Sequence, residues 1–137
     1  MRAPRVTGTT SDRGRRAVTD QDLAIAVHRQ LGHVLVTVVG EIDIATAPQL
    51  RAQLAGLAGT GQRVIVDLGQ VRFSDAAGLG VLAGAAGRAA ASGGSLLLAA
   101  ARPQLRRLLA ITGLDRHIPV TATVAEARAA LRTRHGA

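Results

Sequence analysis

An α/β fold with a mostly parallel sheet is the architecture this sequence predicts, in the order β-β-α-β-α-β-α-β-α. Three observations carry the prediction. Val64-Ile-Val-Asp-Leu68 and Ser95-Leu-Leu-Leu-Ala-Ala100 are short apolar runs, too short for helices and too uniformly apolar for a half-exposed strand, as expected of buried central strands. Between such runs, leucines recur at helical spacing. Glycine, proline or serine punctuates almost every junction.

The elements follow in order. Leu23-Ala-Ile25-Ala-Val27-His28 alternates as a strand does, Arg29-Gln-Leu-Gly32 supplies a turn, and His33-Val-Leu-Val-Thr-Val-Val39 is a second strand, so the two predict a hairpin. Gly40-Glu41-Ile42-Asp43-Ile44-Ala45 is expected to be a loop. A helix opens at about Thr46 with Pro48 in its first turn, and Leu50, Leu54 and Leu57 share one face until Gly59-Thr-Gly61 ends it. After the strand at Val64, Asp75 caps a helix over about Ala76 to Ala91, stopped by Ser92-Gly-Gly94. Pro103 to Thr112 is a third helix with Leu105, Leu108 and Leu109 inward, and Gly113 provides its left-handed cap with Leu114 behind it. Ile118-Pro-Val120 fits only a short edge strand, because Pro119 removes a ladder donor. Thr123-Val-Ala-Glu126 is a capping box that opens a last helix with Val124, Ala127 and Leu131 on one side.

At 137 residues the chain suits one domain with a core of its own. Residues 1–20 mix Gly, Thr, Ser, Asp and Arg without periodicity and are expected to be a disordered basic arm; 21–132 is the folded domain and 133–137 a flexible tail. With no cysteine, disulfides, thiolate metal sites and a cysteine nucleophile are excluded. No apolar run is long enough for a membrane span, and Met1-Arg-Ala-Pro-Arg5 lacks the apolar segment of a signal peptide, so a cytoplasmic protein without membrane insertion is expected. Lysine is absent: all 17 basic residues are arginine, which closes P-loop and Schiff-base chemistry.

The net charge of +8 sits largely at the ends. Five arginines face only Asp12 and Asp20 within residues 1–20, and Arg128, Arg132 and Arg134 are unopposed at the other end. Phe73 is the only aromatic residue, so no platform exists on which bases stack, and specific nucleic-acid binding is not expected.

Gly78-Leu-Gly80-Val-Leu-Ala83 matches a dinucleotide fingerprint in form, but its glycines lie within a helix and no carboxylate follows near Leu98 to Arg102. Gly78, Gly80, Gly84 and Gly87 instead suggest close approach of the helix to the sheet or a partner. Asp43, Asp67 and Asp75 have no nucleophile beside them in the sequence; Asp75 is explained as an N-cap accepting from Ala77 and Gly78, and Asp67 as bonding to nearby backbone. His28, His33, His117 and His135 are scattered. No enzyme, metal site or cofactor is expected.

Two segments carry a resemblance to a known family. Phe73-Ser74-Asp75-Ala76-Ala77-Gly78-Leu79-Gly80 resembles the switch segment of anti-sigma factor antagonists of the STAS domain family, which typically reads Asp-Ser-Ser-Gly-Leu-Gly. Gly40-Glu41-Ile42-Asp43-Ile44-Ala45-Thr46 resembles the family's Gly-Glu-Leu-Asp…Thr loop. The strand and helix order agrees as well, so the resemblance covers about residues 21–132 and implies a single STAS-type domain. It further implies that an anti-sigma factor of the ATP-binding serine-kinase type is the partner, that a sigma factor is released, and that the protein works as a monomer or weak dimer. Carried over by position, Glu41, Asp43, Thr46, Ser74, Asp75, Ala76, Ala77, Gly78 and Leu79 become partner-binding residues. Thr46 also has a local reading as a helix N-cap. In the family the second serine is phosphorylated by the partner kinase; here Ala77 replaces it, so regulation at the usual position is not expected. Ser74 is the one hydroxyl left and does not match the acceptor position. The alternative is a STAS scaffold subunit of a transporter or sensor complex, where no phosphorylation is needed.

Overall fold

The computed structural model describes residues 5–8 and 23–136. One six-stranded sheet holds its strands in sequence order: β1 (Arg5–Gly8), β2 (Ala24–Gln30), β3 (His33–Ile42), β4 (Arg63–Ser74), β5 (Ser95–Ala99) and β6 (Val120–Thr121). The first two pairings are antiparallel and the remaining three parallel. Helices α1 (Ala47–Ala58), α2 (Ala76–Ala91), α3 (Pro103–Ile111) and α4 (Val124–Gly136) connect or follow the parallel strands. Crossovers of this length are what parallel pairing demands.

Alternation along the strands sorts side chains into two cores. Val34, Val36 and Val38 of β3, with Val64 and Val66 of β4, pack under Leu50 and Leu54 of α1, Leu79 and Leu82 of α2, and Leu105 and Leu109 of α3. On the other face Ile65 and Leu97 meet Ala127 and Leu131 of α4. Each such leucine, fully removed from water, contributes roughly 1.5–3 kcal/mol of transfer free energy. Three helices thus cover one face and α4 alone the other.

Four expectations are corrected. Residues 5–8 are a strand rather than part of a disordered arm, with Arg5 opposite Val27 and Gly8 opposite Ala24. Val6-Thr7 is a β-branched pair, and the backbone edge of β2 offers it ladder partners whatever its neighbours' polarity. The rest of the predicted arm lies outside the described residues. The predicted tail belongs largely to α4, since no glycine or proline interrupts the helix before Gly136. Strand β3 continues through Gly40, Glu41 and Ile42, which the sequence suggested as loop. Strand β4 runs to Ser74 instead of stopping at Leu68, because register shifts between Thr37 and Val39 and between Gly40 and Glu41 absorb extra residues without ending the pairing. Asp67 serves the first of these irregularities: its Oδ1 accepts the Gly69 N–H at 3.0 Å.

The predicted caps at Gly113 and Thr123 hold, the second with one change of partner. Gly113 has φ +78°, the left-handed conformation that ends α3. Thr123 Oγ1 accepts the Glu126 N–H at 3.0 Å, while Glu126 reaches back to the Ala122 N–H at 3.1 Å, one residue outside the usual capping-box donor.

Candidate functional site

The two parallel strands β3 and β4 end side by side, Glu41 opposite Phe73 and Ile42 opposite Ser74. Each then turns into a helix, so the β3–α1 loop and the start of α2 form one surface at the C-terminal end of the strands. A backbone bond from the Asp75 N–H to the Ile42 carbonyl, 3.1 Å, ties the two together. Arg72 and Glu41 extend the tie on the surface at 3.7 Å, an exposed pair of small energetic weight.

Within the loop, Asp43 and Thr46 hold each other. Asp43 Oδ1 accepts the N–H groups of Ala45 and Thr46 at 2.9 and 3.0 Å. Thr46 Oγ1 accepts the Asp43 N–H at 2.9 Å and donates to the Glu41 carbonyl at 2.8 Å. Thr46 stands at the N-cap position of α1 as the local reading has it, but it is buried and its side chain makes no cap bond: the hydroxyl instead fastens the loop to the strand end. The Asp43 side chain likewise serves the loop, folding it as an Asx turn at the mouth of α1. Glu41 and Asp43 remain partly accessible.

At the start of α2, Asp75 is the cap the sequence predicts. Its Oδ1 accepts from Ala77 N–H at 2.9 Å and Gly78 N–H at 3.3 Å. Two of the helix's leading N–H groups are therefore occupied. Ala76 is exposed and Ala77 half-buried, leaning on the main core. Ser74 is fully buried: its hydroxyl donates to the Asp75 carbonyl at 3.2 Å, and its N–H and carbonyl are both held by the Gln104 side chain at 3.2 and 3.0 Å. No spacing in the sequence announced Gln104, a single polar residue in the first turn of α3.

Gly78 is buried where α2 crosses Ile42 and Ser74; a Cβ there would collide with Ser74 Oγ and stand 2.8 Å from Ile42 Cγ2. The other helix glycines do not share this role. Gly80, Gly84 and Gly87 lie on the exposed side of α2, and a Cβ at Gly80 or Gly87 would meet nothing within 4 Å. Near the strand ends stand two large apolar side chains that sequence reasoning missed, Ile44 of the β3–α1 loop at 80 % and Phe73 of β4 at 44 % exposed. Their apolar character was legible, but their exposure depended on where the strand ends fall. Among the described residues, no group of three or more His, Asp or Glu side chains is arranged to hold a metal ion, and no helix is long and apolar enough to cross a membrane.

The family profile described as the STAS domain matches residues 24–127. The chain belongs to the STAS domain family. Its relatives within that family include the anti-sigma-B factor antagonist of Bacillus subtilis, 36 % identical over 101 residues that span 74 % of this chain and 93 % of that protein. The anti-sigma F factor antagonist of Paenibacillus polymyxa is 28 % identical over 101 residues, 72 % of this chain and 86 % of that protein. The crystal structure of an anti-sigma factor antagonist from Mycobacterium paratuberculosis superposes with a TM-score of 0.77 at 30 % identity, covering 83 % of this chain and 97 % of the other. The single α/β STAS fold expected from the sequence is thus established.

Proposed function

We propose that this STAS domain is an anti-sigma factor antagonist, a non-enzymatic cytoplasmic regulator that binds an anti-sigma factor of the serine-kinase type and so frees a sigma factor. The observation that carries the reading is the surface formed by the β3–α1 loop and the capped start of α2. Helix face, loop and the exposed Ile44 and Phe73 together offer small residues for close approach and apolar anchors to bury. Relatives named as antagonists support it across nearly the full domain length.

The carboxylates divide the labour. Asp43 and Asp75 spend their inner oxygens on local backbone, which fixes the shape of the surface, and Glu41 flanks it. Ala77 occupies the position of the family's phospho-acceptor, so the charge that normally separates the partners has no hydroxyl to sit on. Ser74 is no substitute: it is buried and bonded within the strand end. Control then rests on synthesis of the protein or competition among antagonists rather than on phosphorylation at this segment.

Reconstitution tests the reading. An anti-sigma factor and its sigma factor from the source cell are assembled and titrated with this protein while free sigma factor is measured by size-exclusion chromatography. Release of sigma factor with formation of a new complex is expected. No release at tenfold excess, across the kinase-type anti-sigma factors of that cell, would overturn it.

A further inference from the structure

At the opposite end of the parallel strands, the β2–β3 turn and the α1–β4 connection face each other across an open cavity of about 350 Å³. Its charged and polar walls are Arg29, Gln30, His33, Gln62 and Arg63, with Gly32 between them. Arg29 Nη1 donates to Gln62 Oε1 at 3.4 Å, Arg63 Nη1 to the Leu131 carbonyl at 3.5 Å, and Arg128 Nε to His33 Nε2 at 3.4 Å. Every one of these bonds is long and ends on a neutral acceptor. Among the described residues none of the three guanidinium groups is paired with a carboxylate; the ion pair there, Arg72 with Glu41, is at the other end of the sheet. Toward the described residues most of their N–H donors make no bond.

We infer that this cavity is a binding site for a compact, doubly charged oxyanion, inorganic phosphate or a small phosphomonoester. Clustered arginines that meet no carboxylate among the described residues repel one another, and a dianion between them removes that cost while the planar forks of Arg29 and Arg63 match its oxygens. The surroundings of His33 report the same field. Burial, then the charge of Arg128 and to a lesser degree that of Arg63, hold its pKa below the ordinary value against the opposing hydrogen bond to Leu31. The cavity volume lies at the small end of the range for ligand sites, about 300–1,000 Å³. The chain's one Phe, Tyr or Trp ring, Phe73, is at the far end of β4, so no large aromatic platform lines this cavity. The fit is to the phosphate itself.

The test uses the full chain at constant ionic strength, chloride being replaced in separate arms by inorganic phosphate, glycerol phosphate or sulfate. Calorimetry is expected to show saturable one-to-one binding of phosphate, the melting temperature to rise with it, and the His33 ring resonance to titrate at higher pH when the anion is bound. Binding of phosphate alone assigns the free ion, and binding of glycerol phosphate as well assigns a terminal phosphomonoester. Arg63→Met and Arg29→Met should each weaken binding about tenfold or more, the worth of one charge-assisted hydrogen bond. Arg29 is exposed, so its variant tests the site without disturbing the fold. The inference is overturned if no anion gives a saturable response beyond chloride, if both variants bind as the parent does, or if only a DNA duplex binds, with steep salt dependence.

Discussion

Gly78 of α2 rests directly on Ser74 of β4, with no room for a β-carbon between the helix and the strand it follows. The contact fixes the start of α2 against the sheet, and with it the position of Asp75, Ala76 and Ala77. Alanine is the better helix former by about 1 kcal/mol, but the added methyl must displace Ser74 Oγ and the Ile42 side chain. Gly78→Ala is therefore expected to lower stability by about 1–2 kcal/mol net, measured by urea unfolding. In a double-mutant cycle, Ser74→Ala should relieve part of that loss, so that the pair costs less than the sum. Additive effects would show that the approach is looser than described.

The same residues explain what the sequence could reveal. Leu50, Leu54 and Leu57, and the buried runs at Val64 and Ser95, were legible because burial on one face imposes a period that survives in the residues themselves. Asp75 and Gly113 were legible because their roles are local. The pairing of Arg5–Gly8 with β2 was not, since an edge strand takes its stability from a neighbour's backbone rather than from its own pattern. Nor were the reach of β4 to Ser74, which depends on irregular pairing with β3, and the grip of Gln104 on Ser74, which joins residues thirty positions apart. At the strand ends Asp75 caps α2 as the sequence predicts, whereas Gly40, Glu41 and Ile42 extend β3 and are not loop. What the other side chains do there was not legible: Thr46 fastens a strand end, and Phe73 and Ile44 face solvent.

Those two exposed side chains should be the anchors of partner binding. Phe73→Ala and Ile44→Ala are each expected to weaken binding of the anti-sigma factor by about ten- to a hundredfold. Unfolding should be nearly unchanged for Ile44→Ala, 80 % exposed, while Phe73→Ala, more than half buried, should also cost about 1–2 kcal/mol of stability. Leu31→Ala is the control, fully exposed in the β2–β3 turn at the opposite end, and should leave affinity unaltered. Titration by surface plasmon resonance would compare the three. Equal losses in all, or none in the first two, would place the interface elsewhere.

His33 makes stability depend on pH in a definite direction. Its folded pKa lies below the unfolded value of 6.5, through burial first and then the charges of Arg128 and Arg63. Between 6.5 and the lower folded value the unfolded chain binds more protons, so this residue's contribution is present at neutral pH and lost as the solution is acidified through that window. His33→Gln should flatten that part of the stability curve, followed by urea midpoints between pH 7 and pH 5. An unchanged slope in the variant would assign the dependence to other groups.

Ala77 carries the sharpest prediction. Its side chain is half-buried at the start of α2, where Asp75 already accepts the N–H groups of residues 77 and 78. Serine there adds one oxygen in the first turn of a helix, a place that tolerates hydroxyls, so Ala77→Ser should fold with a stability change under about 1 kcal/mol. Incubated with the partner kinase and ATP, the parent protein should take up no phosphate and stay bound. The serine variant should be phosphorylated and then released, because about −1.5 to −2 charges would enter a packed interface beside the Asp75 carboxylate. Mass spectrometry and co-elution read the two steps separately. Phosphate on the parent chain at Ser74 would require the buried strand end to open and would move the switch one turn of chain upstream. Phosphorylation of the variant without release would leave the segment a kinase substrate while removing it from the interface.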